Sequence, residues 1–151
     1  LELFDRILVD APCSSEGRFI IEEPKSTAYW SLRKINEMAH KQKGLLLNAS
    51  RLLKPGGILV YSTCTFAPEE NEAVIDWFLK KSGEDFYLEA LAMPSIRRYQ
   101  LSAAWDKKEF SHDAAHCLRV YPDDVMEGFF IARIRRLGLD QDKKLYENVT
   151  T

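Results

Sequence analysis

The chain has 151 residues, 46% hydrophobic and 29% charged, with a formal net charge of −2. That length and balance support one packed domain and argue against intrinsic disorder. No apolar run reaches the ~20 residues of a membrane-spanning helix, no secretory leader is visible, and three cysteines without CxxC spacing fit a reducing, cytoplasmic setting.

In chain order, residues 4–9 read as a short apolar strand of the interior parallel kind. Meeting such a strand at once gives the expectation that the chain starts in mid-domain. Residues 10–27 read as a long loop. Residues 31–53 are predicted as a helix, with Leu32, Ile35, Ala39, Leu46, Ala49 and Leu53 on one face. Lys54-Pro55-Gly56-Gly57 stops it. Residues 58–61 form a second apolar strand, and 62–66 a loop. A second helix is predicted over 68–81, with Pro68 in its first turn and Glu69, Glu70 and Glu72 at the positive end of its dipole. Residues 86–91 read as a strand and 93–115 as a polar excursion. Residues 117–121 and 128–134 read as two last strands, and the residues from Leu137 onward as a polar tail. The order implies an α/β domain over 1–136 with a parallel sheet. The two late strands are expected to pair antiparallel at one edge.

Two loops carry the chemistry, Asp10-Ala11-Pro12-Cys13-Ser14-Ser15-Glu16-Gly17 and Ser62-Thr63-Cys64-Thr65. Each follows a predicted parallel strand. A right-handed crossover puts both at the carboxyl edge of the sheet, where open α/β sheets hold ligands. Neighbouring strands lie ~4.8 Å apart, so Cys13 and Cys64 should meet, with Asp10 beside them. A carboxylate and two thiols suit covalent catalysis on an electrophilic ring. The thiolate is the reactive form, so something must lower a pKa of ~8.5. The dipole of the helix near Pro68 is one candidate, opposed by Glu69 and Glu70; the positive charge of a bound sulfonium cofactor is another.

Cysteine is often only a small buried hydrophobe, and Cys117, at the start of an apolar strand, fits that reading. His112, His116 and Cys117 are too few and too irregular for a zinc site. Tyr29 and Trp30 precede the first helix beside the site loop and are candidates for base stacking; the other aromatic residues read as core. Arg18, Lys25 and Arg33 could meet phosphate, although exposed basic residues are usually just solvated. The chain lacks the overall basic excess of a free-standing nucleic-acid binder.

The two loops resemble the fourth and sixth motifs of the Sun-type RNA cytosine-5 methyltransferases. The sixth extends over Tyr61-Ser62-Thr63-Cys64-Thr65-Phe66 and Pro68-Glu69-Glu70-Asn71-Glu72. Arg119-Val120-Tyr121-Pro122 and Glu127-Gly128-Phe129-Phe130-Ile131-Ala132 resemble the family's last motif. The resemblance implies the C-terminal half of a Rossmann-like class I methyltransferase sheet, with S-adenosylmethionine as methyl donor, no metal, and ribosomal or transfer RNA as substrate. It implies that Cys64 is the nucleophile that adds to cytosine C6, and that Cys13 assists loss of the C5 proton and release of the enzyme. Asp10 would stabilise the adduct and lie near the cofactor. Pro12 and Arg119 are assigned to the substrate.

Three departures matter. Ser15 stands where the family often has glycine or alanine, and Asp123 and Asp124 stand where a histidine or basic stretch is usual. None of the seven glycines forms the family's cofactor loop. The chain is therefore expected to be an excised part that neither binds S-adenosylmethionine tightly nor turns over alone. Its partner would be the missing N-terminal part of the same protein, and its open sheet edge could drive self-association. The alternatives are a non-catalytic Rossmann-like interaction module, a methyltransferase of another acceptor, and a thiol redox protein.

Overall fold

The computed structural model describes residues 3–99 and 101–138, so the predicted tail lies outside them from residue 139. Strand β1 (Phe4–Asp10) leads through short 3-10 turns at Glu16–Arg18 and Pro24–Thr27 to helix α1 (Leu32–Leu52). Strand β2 (Leu53–Thr63), helix α2 (Glu72–Ser82) and strand β3 (Phe86–Glu89) follow. The polar excursion holds three two-residue strands, β4 (Arg98–Tyr99), β5 (Ala104–Trp105) and β6 (Lys108–Glu109), and a 3-10 turn at His112–His116. Strands β7 (Leu118–Val120) and β8 (Phe129–Arg136) complete the described chain.

β1 and β2 run parallel, with Val9 opposite Tyr61 and Asp10 opposite Ser62. The sheet order is β1-β2-β8-β7-β4, and β3 also pairs with β8. The late strands β7 and β8 pair antiparallel as expected, but not as an edge pair. β8 docks antiparallel on β2, from Ile58↔Arg135 to Thr63↔Phe130. Its alternation buries Phe130, Ala132 and Ile134 fully on the face that carries the core.

Ser31 caps α1, its hydroxyl accepting the Lys34 N–H at 3.1 Å. The helix buries Ile35, Met38, Ala39, Gln42, Leu46 and Ser50. Leu32 lies on the predicted apolar face yet is 66% exposed. Lys54-Pro55-Gly56-Gly57 does end the helix, and then becomes an irregularity inside the β1–β2 ladder, between the Phe4–Leu53 and Arg6–Ile58 pairs. Gly56 takes a φ of 76° there, which only glycine adopts without strain.

Leu46, Val74, Ile75 and Phe78 of the helices share one buried cluster with Leu59, Tyr61, Phe130 and Ile134 of the sheet. Each such side chain contributes roughly 1.5–3 kcal/mol by burial. Ile7 and Val9 pack against this cluster. Phe4 and Leu8, on the opposite face of β1, are 52% and 70% exposed. With α1 and α2 both on one face, the crossover from β1 to β2 delivers both strand ends to the same sheet edge.

Candidate active site

At that edge the Sγ atoms of Cys13 and Cys64 are 3.2 Å apart. Asp10, the last residue of β1, accepts the Ser62 hydroxyl on Oδ1 at 2.9 Å. The three residues line an open cavity of about 620 Å³, together with Pro12, Arg18 and Phe129. Arg18 and Glu127 form an exposed ion pair at its rim, at 3.1 Å.

The two thiols are electrostatically unlike. The hydrogen bond from Cys13 holds Cys64 below the usual thiol range, at about 6, with help from the Ser15 hydroxyl and the Arg18 charge against the opposing effect of burial. Cys13 moves strongly upward, because its proton lies between two sulfurs, and because of burial and the repulsion of a second anion. The two thiols therefore titrate as a coupled pair, with Cys64 favoured as the first to ionise. The acidifying neighbours are Cys13, Ser15 and Arg18.

The walls of the site are built from residues to which the sequence reading gave no site role. Residues 68–71 do not begin α2, which starts four residues later than predicted, at Glu72. They form a bracket instead. Glu70, fully buried, accepts the Ser14 N–H at 3.0 Å and the Gln42 amide at 2.8 Å. Burial raises its carboxyl pKa against those bonds. Gln42 also donates to the Pro12 carbonyl at 2.9 Å. Asn71 accepts the Thr63 hydroxyl at 2.6 Å and donates to the Thr65 carbonyl at 2.8 Å. Thr65 meets the Ser14 hydroxyl at 2.7 Å. The loop after β1 and the loop after β2 are thus fastened to each other through buried polar groups, which must pair to be tolerated.

Two glycines close the arrangement. Gly17 N donates to the Cys64 carbonyl at 2.9 Å and Gly17 O accepts the Gly128 N–H at 3.1 Å. A Cβ on Gly17 would lie 2.2 Å from Gly128 O, and one on Gly128 would lie 2.1 Å from the Phe66 ring.

Pro12 is exposed at the cavity, with its carbonyl turned back to Gln42. Arg119 is placed differently from its expected role. It is 7% exposed, pairs with both oxygens of the buried Glu72 at 2.6 Å, and donates to the Phe66 carbonyl at 2.6 Å. It braces the Cys64 loop from behind, and no free guanidinium faces the cavity from this position. Cys117 is buried at 7% exposure, and burial raises its pKa. Tyr29 is 90% exposed, and the Trp30 indole donates to Glu16 at 2.7 Å. Among the described residues no group of three or more His, Cys, Asp or Glu side chains is placed to hold a metal; the His112 side chain lies outside them. No described helix is long and apolar enough to cross a membrane.

A mixed sheet with two helices on one face, and two thiols and a carboxylate at the carboxyl edge, defines a Rossmann-like methyltransferase fold. Its solved neighbours are methyltransferases. A methyltransferase homolog from Pyrococcus horikoshii superimposes with a TM-score of 0.69 at 39% identity, over 89% of this chain and 40% of that one. The NSun6 structure with SFG from the same organism gives 0.61 at 30% identity, over 86% and 29%. Residues 1–135 match the family model for the 16S rRNA methyltransferase RsmB/F, and the chain belongs to that family.

Among curated relatives, the tRNA (cytosine(49)-C(5))-methyltransferase of Pyrococcus abyssi is 42% identical over 134 residues, 88% of this chain and 42% of the relative. Ribosomal RNA small subunit methyltransferase F of Aeromonas salmonicida is 40% identical over 136 residues, 89% and 26%. The chain thus spans less than half the length of these relatives.

Proposed function

We propose that this protein methylates C5 of cytosine in RNA, with S-adenosylmethionine as donor and Cys64 as the covalent nucleophile. The observation that carries the reading is the meeting of two thiols, their sulfurs 3.2 Å apart, beside Asp10 at the end of two parallel strands.

Cytosine C5 is a poor nucleophile. Addition of the Cys64 thiolate to C6 forms the S–C6 bond and moves electron density onto C5 and N3. As the adduct forms N3 takes up a proton from solvent, Asp10 would accept a hydrogen bond from the resulting N3–H, and that proton returns to solvent when the ring is restored. When bound, S-adenosylmethionine supplies an electrophilic methyl group to C5. Asp10, whose Oδ1 accepts the Ser62 hydroxyl, would also lie near the cofactor, as the resemblance to the Sun-type family implies. Once Cys64 sulfur is bonded to C6 it carries no charge, so the thiolate hydrogen bond that chiefly kept Cys13 protonated is lost and the repulsion of a second anion with it, against the burial that remains. Cys13 then gives its proton to solvent and accepts the C5 proton. The electrons of the C5–H bond restore the ring double bond and expel the Cys64 thiolate. The base must be unstacked to enter. Arg18, at the rim and paired with Glu127, would be available to a phosphate of the target strand.

The test is incorporation of labelled methyl groups into ribosomal and transfer RNA by the full-length protein, followed by nucleoside analysis. The reading predicts 5-methylcytidine, lost in Cys64→Ala. Labelled RNA with the methyl group on any other atom would overturn it.

A further inference from the structure

Ser15 adopts φ 61° and ψ 30°, the left-handed region. That conformation penalises any residue with a Cβ and favours glycine. A serine held there calls for something its side chain does. With both thiols protonated, its Oγ accepts from Cys64 Sγ at 3.6 Å and donates to the Cys13 carbonyl oxygen at 3.5 Å, and Cys13 Sγ lies 4.0 Å away. A hydroxyl has one hydrogen to give. Toward the carbonyl the contact is at the limit of hydrogen-bond range. When Cys64 ionises, its sulfur becomes the stronger acceptor, and rotation about the Cβ–Oγ bond redirects the hydrogen with no backbone movement.

We propose that Ser15 is a positioning residue: its hydroxyl donates to the Cys64 thiolate and so selects Cys64, rather than Cys13, as the sulfur that ionises. The closer approach to Cys64 than to Cys13 sets the direction of that choice. The same hydroxyl is among the causes that acidify Cys64, after the Cys13 thiol. The inference rests on the reading of Cys64 as nucleophile.

Two substitutions separate the hydroxyl from the backbone. Ser15→Ala removes the hydroxyl and keeps the Cβ. Ser15→Gly removes both and relaxes the left-handed turn, so it should melt no lower than the parent and guards against a simple folding failure. The readout is iodoacetamide alkylation of Cys64 in the full-length protein, resolved by peptide mass spectrometry across pH. Both variants should raise the alkylation midpoint. At pH 5 both should alkylate Cys64 about three- to tenfold more slowly, the thiolate fraction falling faster than its nucleophilicity rises. An unmoved midpoint in both variants overturns the proposal. A shift in only one also overturns it, because that result tracks the backbone or the Cβ and not the hydroxyl. Methyl transfer by Cys64→Ala is measured alongside. Retained transfer would remove the nucleophile reading itself, whereas an unmoved midpoint removes only the role of Ser15.

Discussion

The carboxylate of Glu70 accepts the backbone N–H of Ser14 at 3.0 Å, which ties the turn before α2 to the loop after β1. The bond matters because Ser14 follows Cys13, while Glu70 sits six residues past Cys64. Glu70→Ala would leave Ser14 N and the Gln42 amide without this acceptor, at about 1–3 kcal/mol for each donor stranded. Glu70→Gln keeps an oxygen that reaches both, so it should be much the milder change. Urea denaturation of the two variants checks this; equal losses would show that the bracket is not what holds the loops.

The unlike thiols predict a pH profile. Cys64 is held down to about 6 by the Cys13 hydrogen bond first and then by Ser15 and Arg18. The thiolate, the reactive form, is populated above that value. Alkylation of Cys64 and methyl transfer should therefore fall as pH drops through about 6. Cys13→Ala removes the leading cause and should move the Cys64 midpoint up. A midpoint already in the ordinary thiol range would contradict the assignment of Cys64 as the first to ionise.

Gly17 is required for space. Its added Cβ would fall 2.2 Å from Gly128 O and 2.9 Å from Cys64 O, and backbone oxygens cannot swing aside as a side chain can. Gly17→Ala should cost about 1–3 kcal/mol as an overpacking change and should alter the alkylation rate of Cys64, whose carbonyl it displaces. A melting curve and an alkylation time course read the two effects.

Two sulfurs 3.2 Å apart should also couple under oxidation. With hydrogen peroxide, two thiols give one disulfide and two waters. The expected product is a Cys13–Cys64 bond, seen as a loss of two hydrogens by mass, with methyl transfer lost and then restored by dithiothreitol. Oxidation of either cysteine to a sulfinic acid before any disulfide forms would show that the pair does not close.

The parallel strands, both helices and the meeting of Cys13 with Cys64 were legible in the sequence, because apolar runs and the right-handed crossover fix them with little freedom. The place of β8 was not. Its apolar alternation says strand, but nothing local says that it inserts between β2 and β7. The bracket was hidden for a different reason. Glu70 and Asn71 look like ordinary first-turn residues of a helix, and Gln42 like a polar interruption of an apolar face. Only the tertiary fold shows that their partners are Ser14, Thr63, Thr65 and Pro12. The Pro68-to-Glu72 run, set so close behind Cys64, was the one signal that could have pointed there. Arg119 was read as a substrate contact because it belongs to a motif; its pairing with the buried Glu72 shows only in the tertiary fold.

The central claim is that Cys64 forms a covalent bond to the target cytosine. The most direct measurement incubates the full-length protein with 5-fluorocytidine-containing RNA and S-adenosylmethionine, since fluorine at C5 blocks the final elimination. A denaturation-stable protein–RNA adduct, lost in Cys64→Ser and kept in Cys13→Ser, is the predicted result. An adduct that survives Cys64→Ser and disappears in Cys13→Ser would contradict the account and exchange the roles of the two cysteines.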